Sequence, residues 1–412
     1  MSMVSTSSSN PQLDIIFRMM SAFASNKNVS EALTQGLSYV QQQINAEAAS
    51  FFLLDDINEM VQCHACLGPV DITGLAFEKD KGIVGRVIRT GTTQFIADCQ
   101  NDAHFNMSVD SETGFITKSM ICAPVIVQNK TYGALQLINR LGENPLFEQE
   151  DAALVTVLAN AAALALANSE MTENLIEAEK TNQDVRMAAR VQESLFPQSP
   201  HRFAYGRNIP KKGVSGDIYD YVERQERLYF CLGDVSGKGI NAALVMAKTH
   251  SLFRSLSRAL PDTPTLIYEM NRELTETASN GMFVTAIIGF YDAKTQKIHI
   301  CNAGHEPALI LTQDKDIKTI GAHLHPLGIM DIELSDIKTD IIDLSQARFF
   351  AFTDGLTEAK TDGQMLGADQ LGKMLLHHNQ TPLSQQIDAV VNEIYENSDM
   401  IHDDLTLLGI GK

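Results

Sequence analysis

Aspartates gather at the ends of apolar runs in the second half of this 412-residue chain. LYFCLGDVSG places Asp234, RFFAFTDG places Asp354, HDDLTLLG places Asp403 and Asp404 just before a strand-like run, and GVSGDIYD supplies Asp217 and Asp220. Singly, an aspartate beside a glycine at a strand end is an ordinary turn signal. Several at once point to chemistry. Hard divalent cations such as Mg²⁺ and Mn²⁺ need oxygen ligands from separate segments, and the strand ends of one sandwich can aim them at one cleft. Cations held this way orient a phosphate and acidify a water, because coordination lowers the pKa of water from about 15.7 towards ~7. The chemistry indicated is hydrolysis without a protein nucleophile.

Other phosphate chemistries fit less well. GDVSGKG looks like an ATP loop, but only three residues separate Gly233 from Gly237 and a glycine, Gly239, follows the lysine, so the Walker spacing fails. The Asp-x-Gly-x-Gly of sensor-kinase lids fails too, with two residues between Asp234 and Gly237. SGDIYD lacks the second glycine and paired acids of a cyclase, and no cysteine opens a Cys-x5-Arg loop. A non-catalytic binding module is disfavoured by the number of aspartates retained.

The elements that must position these aspartates are short apolar runs bounded by turn residues: RLYFCLGDV, MFVTAIIGFYD, KIHICNAGH, ALILT, ARFFAFTDG and LTLLGIG. Helical periods interrupt them at about 241–260, 264–278 and 382–397, which predicts an α+β domain with two sheets between helices. Upstream, 13–24 and 29–44 read as helices, ASFFLLDD with MVQCHACLG as a hairpin, GIVGRVIRTG as a short helix, and ICAPVIVQNKTYGALQLINR as a second hairpin. The expectation is an antiparallel sheet with helices on one face. Residues 148–195 contain neither Pro nor Gly and predict one or two long helices. Leu164, Asn168, Met171, Leu175, Ala178, Asn182, Val185, Ala189, Gln192 and Phe196 alternate steps of four and three, the seam of a parallel coiled-coil dimer; a single amphipathic helix packed on its own domain is the alternative.

The ordered set VSGDIYD, GDVSGKGINAALVMA, FVTAIIGFYD, NAGHEPALIL, HPLGI, FTDGLTEA and DDLTLL, over roughly 196–412, resembles the bacterial regulator branch of the metal-dependent protein phosphatases, the sporulation and general-stress phosphatases related to protein phosphatase 2C. The resemblance implies an α-β-β-α sandwich and a protein-serine/threonine phosphatase with two divalent cations, Mn²⁺ or Mg²⁺. It implies that Asp234 bridges both, that the Val235 carbonyl joins one, that Asp354 and Asp403 complete one site and Asp217 the other, and that Asp220, Gly355 and Asp404 stand behind them. The implied substrate is a phosphorylated anti-sigma antagonist or similar small regulatory protein. Where eukaryotic members carry a histidine assigned as general acid, this chain has Ser236; His305 is a candidate substitute or else a strand cap, and Lys211, Lys212 and Lys238 are candidate phosphate cations or solvated charge.

The first half, about 13–167, resembles GAF sensor domains, and particularly their cyclic-nucleotide-binding subset, in NDAHFNMSVDSETGFITKSMICAPVIV, YGALQLINR and FEQEDAALV. The subset's signature appears as Asn139, Arg140, Phe147 and Asp151, with Ala152 replacing its final acidic residue. These residues are implied to support a pocket for a cyclic nucleotide or another small ligand. The expected organisation is a polar leader over 1–12, a sensor domain over 13–168, a helical linker over 169–197 and a catalytic domain over 198–412.

Composition agrees. A hydrophobic fraction of 44% is that of a folding chain, and a net charge of −19 disfavours nucleic acid and anionic lipid as partners. The six cysteines are scattered through apolar stretches, as reduced thiols of a cytoplasmic protein would be; Cys63 and Cys66 have redox or metal spacing without a second pair, and core packing is the expectation. The apolar run 152–167, interrupted by Asn160, is expected to fall short of a bilayer span.

Overall fold

The computed structural model describes residues 29–55, 57–211, 213–277, 281–361, 363–399 and 401–412; the expected polar leader, the helix over 13–24 and Lys212 lie outside them. The chain divides into two compact units, Met1–Ala178 and Glu179–Lys412.

In the first unit the order is α1 (Val29–Ile44), β1 (Ala46–Asp55), β2 (Met60–Leu67), β3 (Ala76–Glu78), α2 (Gly82–Thr90), β4 (Gln94–Ile96), α3 (Ser108–Thr113), β5 (Met120–Val127), β6 (Lys130–Arg140) and the start of α4 (Gln149–Glu193). The strands form one antiparallel sheet in the order β3-β2-β1-β6-β5-β4. Gln128 and Asn129 close the β5–β6 hairpin with φ of 48° and 66°, the left-handed pair that matches strand twist in a two-residue loop. Helices cover both faces of the sheet, not one. Ala49 and Phe51 of β1 pack with Leu33 and Leu37 of α1 and Val155 and Leu158 of α4, whereas Ala48 and Phe52 pack with Ile83, Val84 and Val87 of α2. The run AASFF has no polar alternation to leave one face wet, and this is what a strand covered twice requires.

α4 is a single helix of 45 residues. By length and composition it is sufficient to cross a bilayer, contrary to the expectation. Its inner face is nevertheless core: Ala152, Val155, Leu158, Ala159, Ala162 and Ala163 are buried in the first unit. The expected seam is split. Leu164, Met171 and Leu175 are exposed, while Gln192 and Phe196 are buried in the second unit. All six cysteines are free thiols, and only Cys66 is not fully buried.

The second unit runs β7 (Ala204–Ile209), β8 (Ile218–Arg224), β9 (Arg227–Val235), α5 (Ile240–Ala259), α6 (Thr263–Thr277), β10 (Val284–Asp292), β11 (Lys297–Ala303), β12 (Ala308–Thr312), β13 (Ile317–Ile320), β14 (Asp340–Asp343), β15 (Ala347–Phe352), α7 (Asp354–Glu358), the small hairpin β16 (Lys360–Thr361) and β17 (Gln364–Met365), α8 (Gly367–His377), α9 (Leu383–Asn397) and β18 (Leu405–Ile410). Two five-stranded sheets result, β14-β11-β10-β9-β8 and β13-β12-β15-β18-β7. α5 and α6 cover the first and α8 and α9 the second, giving the α-β-β-α sandwich. Between the sheets Phe230 meets Phe349 with ring centroids 5.4 Å apart, and Leu232, Ile287, Ile300 and Leu408 fill the same layer. Each such side chain contributes roughly 1.5–3 kcal/mol by leaving water, and the strand ends it fixes carry the aspartates.

Candidate active site

Register brings the aspartates together. Ile218 stands opposite Gly233 in the β8–β9 ladder, so Asp217, just ahead of β8, meets Asp234 near the end of β9. In the other sheet Phe352 opposes Leu407 and the Thr353 N–H donates to the Thr406 carbonyl at 3.1 Å, which sets Asp354, the first residue of α7, beside the turn before β18 that carries Asp403 and Asp404. Asp404 ties the sheets: Oδ2 accepts from the Gly216 N–H at 2.9 Å and Oδ1 from the Lys211 N–H at 2.7 Å. Gly355 permits this approach, since a Cβ there would lie 2.0 Å from the Asp404 carbonyl oxygen.

Negative charge dominates the cluster. Burial lifts the Asp217 carboxyl well above the usual carboxylate range, the charges of Asp234 and Asp404 lift it further, and hydroxyls of Thr406 and Thr353 oppose them. Asp234 is raised by burial and then by Asp354, Asp403 and Asp404. Asp354 is raised by burial, then by Asp403, Glu358 and Glu306. Lys238 is the cation at hand, its Nζ 2.6 Å from Asp403 Oδ2, and that bond raises its own pKa. Among the described residues no three acidic, histidine or cysteine side chains close into a finished cage. Space remains in front of the donors, however: a Cβ added at Gly216 would sit 3.4 Å from Asp234 Oδ1 and 3.5 Å from the Val235 carbonyl oxygen. A set of hard oxygens, each raising its neighbours' pKa beside open space, suits a divalent cation.

Asp220 departs from expectation. Three residues along β8 carry it roughly 10 Å from Asp217, and it is buried under α5 with Oδ2 3.2 Å from His250 Nε2 and 3.5 Å from Arg254 Nε. These contacts have ion-pair spacing without hydrogen-bond geometry. His305 is a strand cap: Nε2 donates to the Phe352 carbonyl at 3.0 Å, Nδ1 lies 2.8 Å from Thr285 Oγ1, and burial presses its pKa down to about 4. Ser236 is also engaged, its Oγ accepting from the Phe283 N–H at 2.8 Å. Lys211 Nζ donates to the His402 carbonyl at 2.5 Å.

Three supports escaped the sequence reading. Thr353 and Thr406 donate to Asp217, and Gln192, in the last turn of α4, clamps the neighbouring backbone. Gln192 Nε2 donates to the Ser215 carbonyl and Oε1 accepts from the Ser215 N–H, both at 2.7 Å. The threonines stood in the motifs FTDG and DDLT, but threonine inside a strand reads as strand propensity.

In the first unit a cavity of about 100 Å³ lies between the sheet and α2 and α3, walled by Phe52, Phe77, Phe105 and Phe115. On its floor Ser50 and Gln136 face each other across β1 and β6, both buried, neither with a side-chain partner among the described residues. Asn139, Arg140, Phe147 and Asp151 stand outside the lining. Asn139, at φ 54°, accepts from the Lys118 and Ser119 N–H groups at 2.7 and 3.2 Å and donates to Glu47 Oε2 and the Ile116 carbonyl, both at 2.8 Å. Arg140 Nε lies 3.3 Å from Asp151 Oδ2, joining the end of β6 to the first turn of α4, and Phe147 packs against the core beneath that helix.

Residues 224–411 match the family model of Stage II sporulation protein E (SpoIIE), and residues 26–167 match that of the GAF domain. Asp234, Asp354 and Asp403 fall inside the first match; Asp217 and Asp220 precede it. The chain is 28% identical to the phosphoserine phosphatase RsbU of Bacillus subtilis over 241 residues, 55% of this chain and 69% of that protein. It is 26% identical to the probable 3',5'-cyclic phosphodiesterase pde-5 of Caenorhabditis elegans over 166 residues, 38% of this chain and 22% of that one. The SiaA-PP2C domain of Pseudomonas aeruginosa superposes with a TM-score of 0.52 at 18% identity, covering 57% of this chain and 98% of that domain, and so shares the fold.

Proposed function

From a chain that carries a SpoIIE-type phosphatase domain with a GAF domain ahead of it, we propose a metal-dependent serine/threonine phosphatase that acts on a small regulatory protein of the anti-sigma antagonist kind, under GAF control. The observation that carries the reading is the convergence of Asp217, Asp234, Asp354 and Asp403 from four strand ends. Asp234 and the Val235 carbonyl, with Asp217 on one side and Asp354 and Asp403 on the other, would hold two divalent cations, Mn²⁺ or Mg²⁺. Bound there, they supply Lewis-acid charge to a phosphoryl group and acidify a water.

The chain's own residues set the stage. Gly216 keeps side-chain atoms out of the space before Asp234. His305 orients Thr285, whose hydroxyl lies 3.3 Å from the Asp234 carbonyl. Lys238, with its side chain 68% exposed, is free to swing from Asp403 towards a phosphoryl oxygen. Ser236, held by Phe283, offers no replacement for a histidine acid. In the sensor, Ser50 and Gln136 give the cavity a hydrogen-bonding floor beneath aromatic walls, suited to the ring of a cyclic nucleotide or a similar small planar ligand. Exposed Leu164, Met171 and Leu175 support a parallel homodimer through α4, and free thiols in an acidic chain support a cytoplasmic setting.

The test is hydrolysis of a phosphoserine peptide with Mn²⁺, Mg²⁺ or EDTA, beside Asp234→Asn. Turnover that needs the metal and vanishes in the variant supports the reading; a folded protein that neither turns over nor binds Mn²⁺ rejects it. Light scattering of Met171→Glu beside the wild type checks the dimer, and an unchanged mass would remove it.

A further inference from the structure

Asp217 is held by a network whose hydrogen-bond direction is fixed. Its Oδ2 accepts from two hydroxyls, Thr353 Oγ1 at 2.8 Å and Thr406 Oγ1. Both threonines have no measurable exposure and Asp217 has 3%. Each hydroxyl also accepts. Thr353 Oγ1 takes the Thr406 N–H at 3.1 Å, and Thr406 Oγ1 takes Asn208 Nδ2 at 2.7 Å. A hydroxyl has one proton, and when a fixed N–H already points at its oxygen that proton turns elsewhere. For Thr406 the remaining acceptor is Asp217 Oδ2; for Thr353 it is the same oxygen, with the Asp404 carbonyl a longer alternative at 3.4 Å. Asn208 Nδ2 also donates to Ser215 Oγ at 3.1 Å, and that oxygen accepts the Asp217 N–H at 3.1 Å, so backbone and carboxylate are fixed from one side.

We propose that Thr353, Thr406 and Asn208 are positioning residues for cation binding: by saturating Oδ2 of Asp217 they present Oδ1 to the cleft. This rests on the reading of Asp217 as a cation ligand. The arrangement spans three strand ends, Asn208 on β7, Thr353 after β15 and Thr406 on β18, so the second sheet sets the aim of a ligand that belongs to the first. Outer partners of this kind change metal affinity by about 10–100-fold when removed.

The experiment is calorimetric Mn²⁺ titration of the full-length protein as wild type, Thr353→Val, Thr406→Val, Thr406→Ser and Asn208→Ala, with thermal unfolding of each metal-free protein. Valine keeps the shape of threonine and removes the hydroxyl, whereas serine keeps the hydroxyl and removes a methyl. Expected are affinity losses of about tenfold or more for both valine variants, a smaller loss for Asn208→Ala, and recovery to within about threefold in Thr406→Ser. Valine variants that bind within about twofold of wild type overturn the proposal, and so does a serine variant as weak as valine, since packing would then be the cause. If a valine variant fails to fold, Asn208→Ala and Thr406→Ser decide: unchanged binding in Asn208→Ala, or lost binding in Thr406→Ser, overturns it. A wild type that binds no Mn²⁺ rejects the cation reading of the cluster itself.

Discussion

Replacing Gln192 by alanine tests whether the last turn of α4 holds the catalytic loop. Gln192 is buried, and both polar atoms of its amide are spent on Ser215, which is itself 1% exposed. Alanine leaves a buried N–H and a buried carbonyl without partners, at about 1–3 kcal/mol each. The cleft lined by Gln192, Phe196, Asn208 and Gly213 lets water reach part of the vacated space, so the lower end applies, about 2–3 kcal/mol for the pair. Ser215 is two residues from Asp217. If loosening of this loop is the whole effect, 2 kcal/mol appears as about a 30-fold loss of Mn²⁺ affinity. Gln192→Glu separates geometry from bulk, because it keeps the acceptor for the Ser215 N–H but turns a carboxylate oxygen on the Ser215 carbonyl; it is expected to be no better than alanine. Denaturant unfolding of the second unit and a Mn²⁺ titration are the assays. An alanine variant within about 0.5 kcal/mol of wild type and equal in metal affinity, or a glutamate variant that behaves as wild type, would refute the clamp.

Gly216→Ala puts a methyl 3.4 Å from Asp234 Oδ1 and is expected to weaken Mn²⁺ binding while the metal-free melting temperature stays within a few degrees; calorimetry with a melt checks both. Asn139→Ala removes four hydrogen bonds at a buried site, so the first unit should lose about 2–4 kcal/mol and the amides of 116–119 should exchange faster with deuterium. His305, with a folded pKa near 4 against about 6.5 unfolded, is neutral in the fold, so its contribution is intact above pH 6.5 and is lost as pH falls through 4. Between pH 7 and pH 5 the wild type should lose about 2 kcal/mol more than His305→Gln, read from denaturation of the second unit at both values; equal losses would show that the imidazole does not titrate this way.

Much of the catalytic unit was legible because its aspartates end strongly apolar strands, where turn residues and strand periods agree. Asp220 was misplaced for the same reason that Asp217 was found: both stand in one short motif, and spacing in sequence does not say that three strand residues carry a side chain out of a site. Gln192 fits a heptad step, and helical period alone does not tell a seam facing a partner helix from contact with the chain's own next domain. Ser50 and Gln136 are paired only by the β1–β6 register, over a separation that no local pattern spans. Two-sided cover of the first sheet was written in β1, where apolar residues occupy both faces, but its helices were expected to share one face.

The free thiols turn the protein into its own two-domain unfolding reporter. Burial pushes Cys63, Cys99 and Cys301 up to about 12 and raises Cys122 and Cys231 as well, so none of the five presents a thiolate to a reagent in the native state. An alkylating probe should therefore mark Cys66, whose sulfur accepts the Ile72 N–H beside the cavity wall, before any other. Later additions would come as three equivalents from the sensor and two from the catalytic sandwich, so mass shifts collected over time date the opening of each domain separately, and protection of Cys66 by a candidate effector gives a direct screen for what fills the cavity.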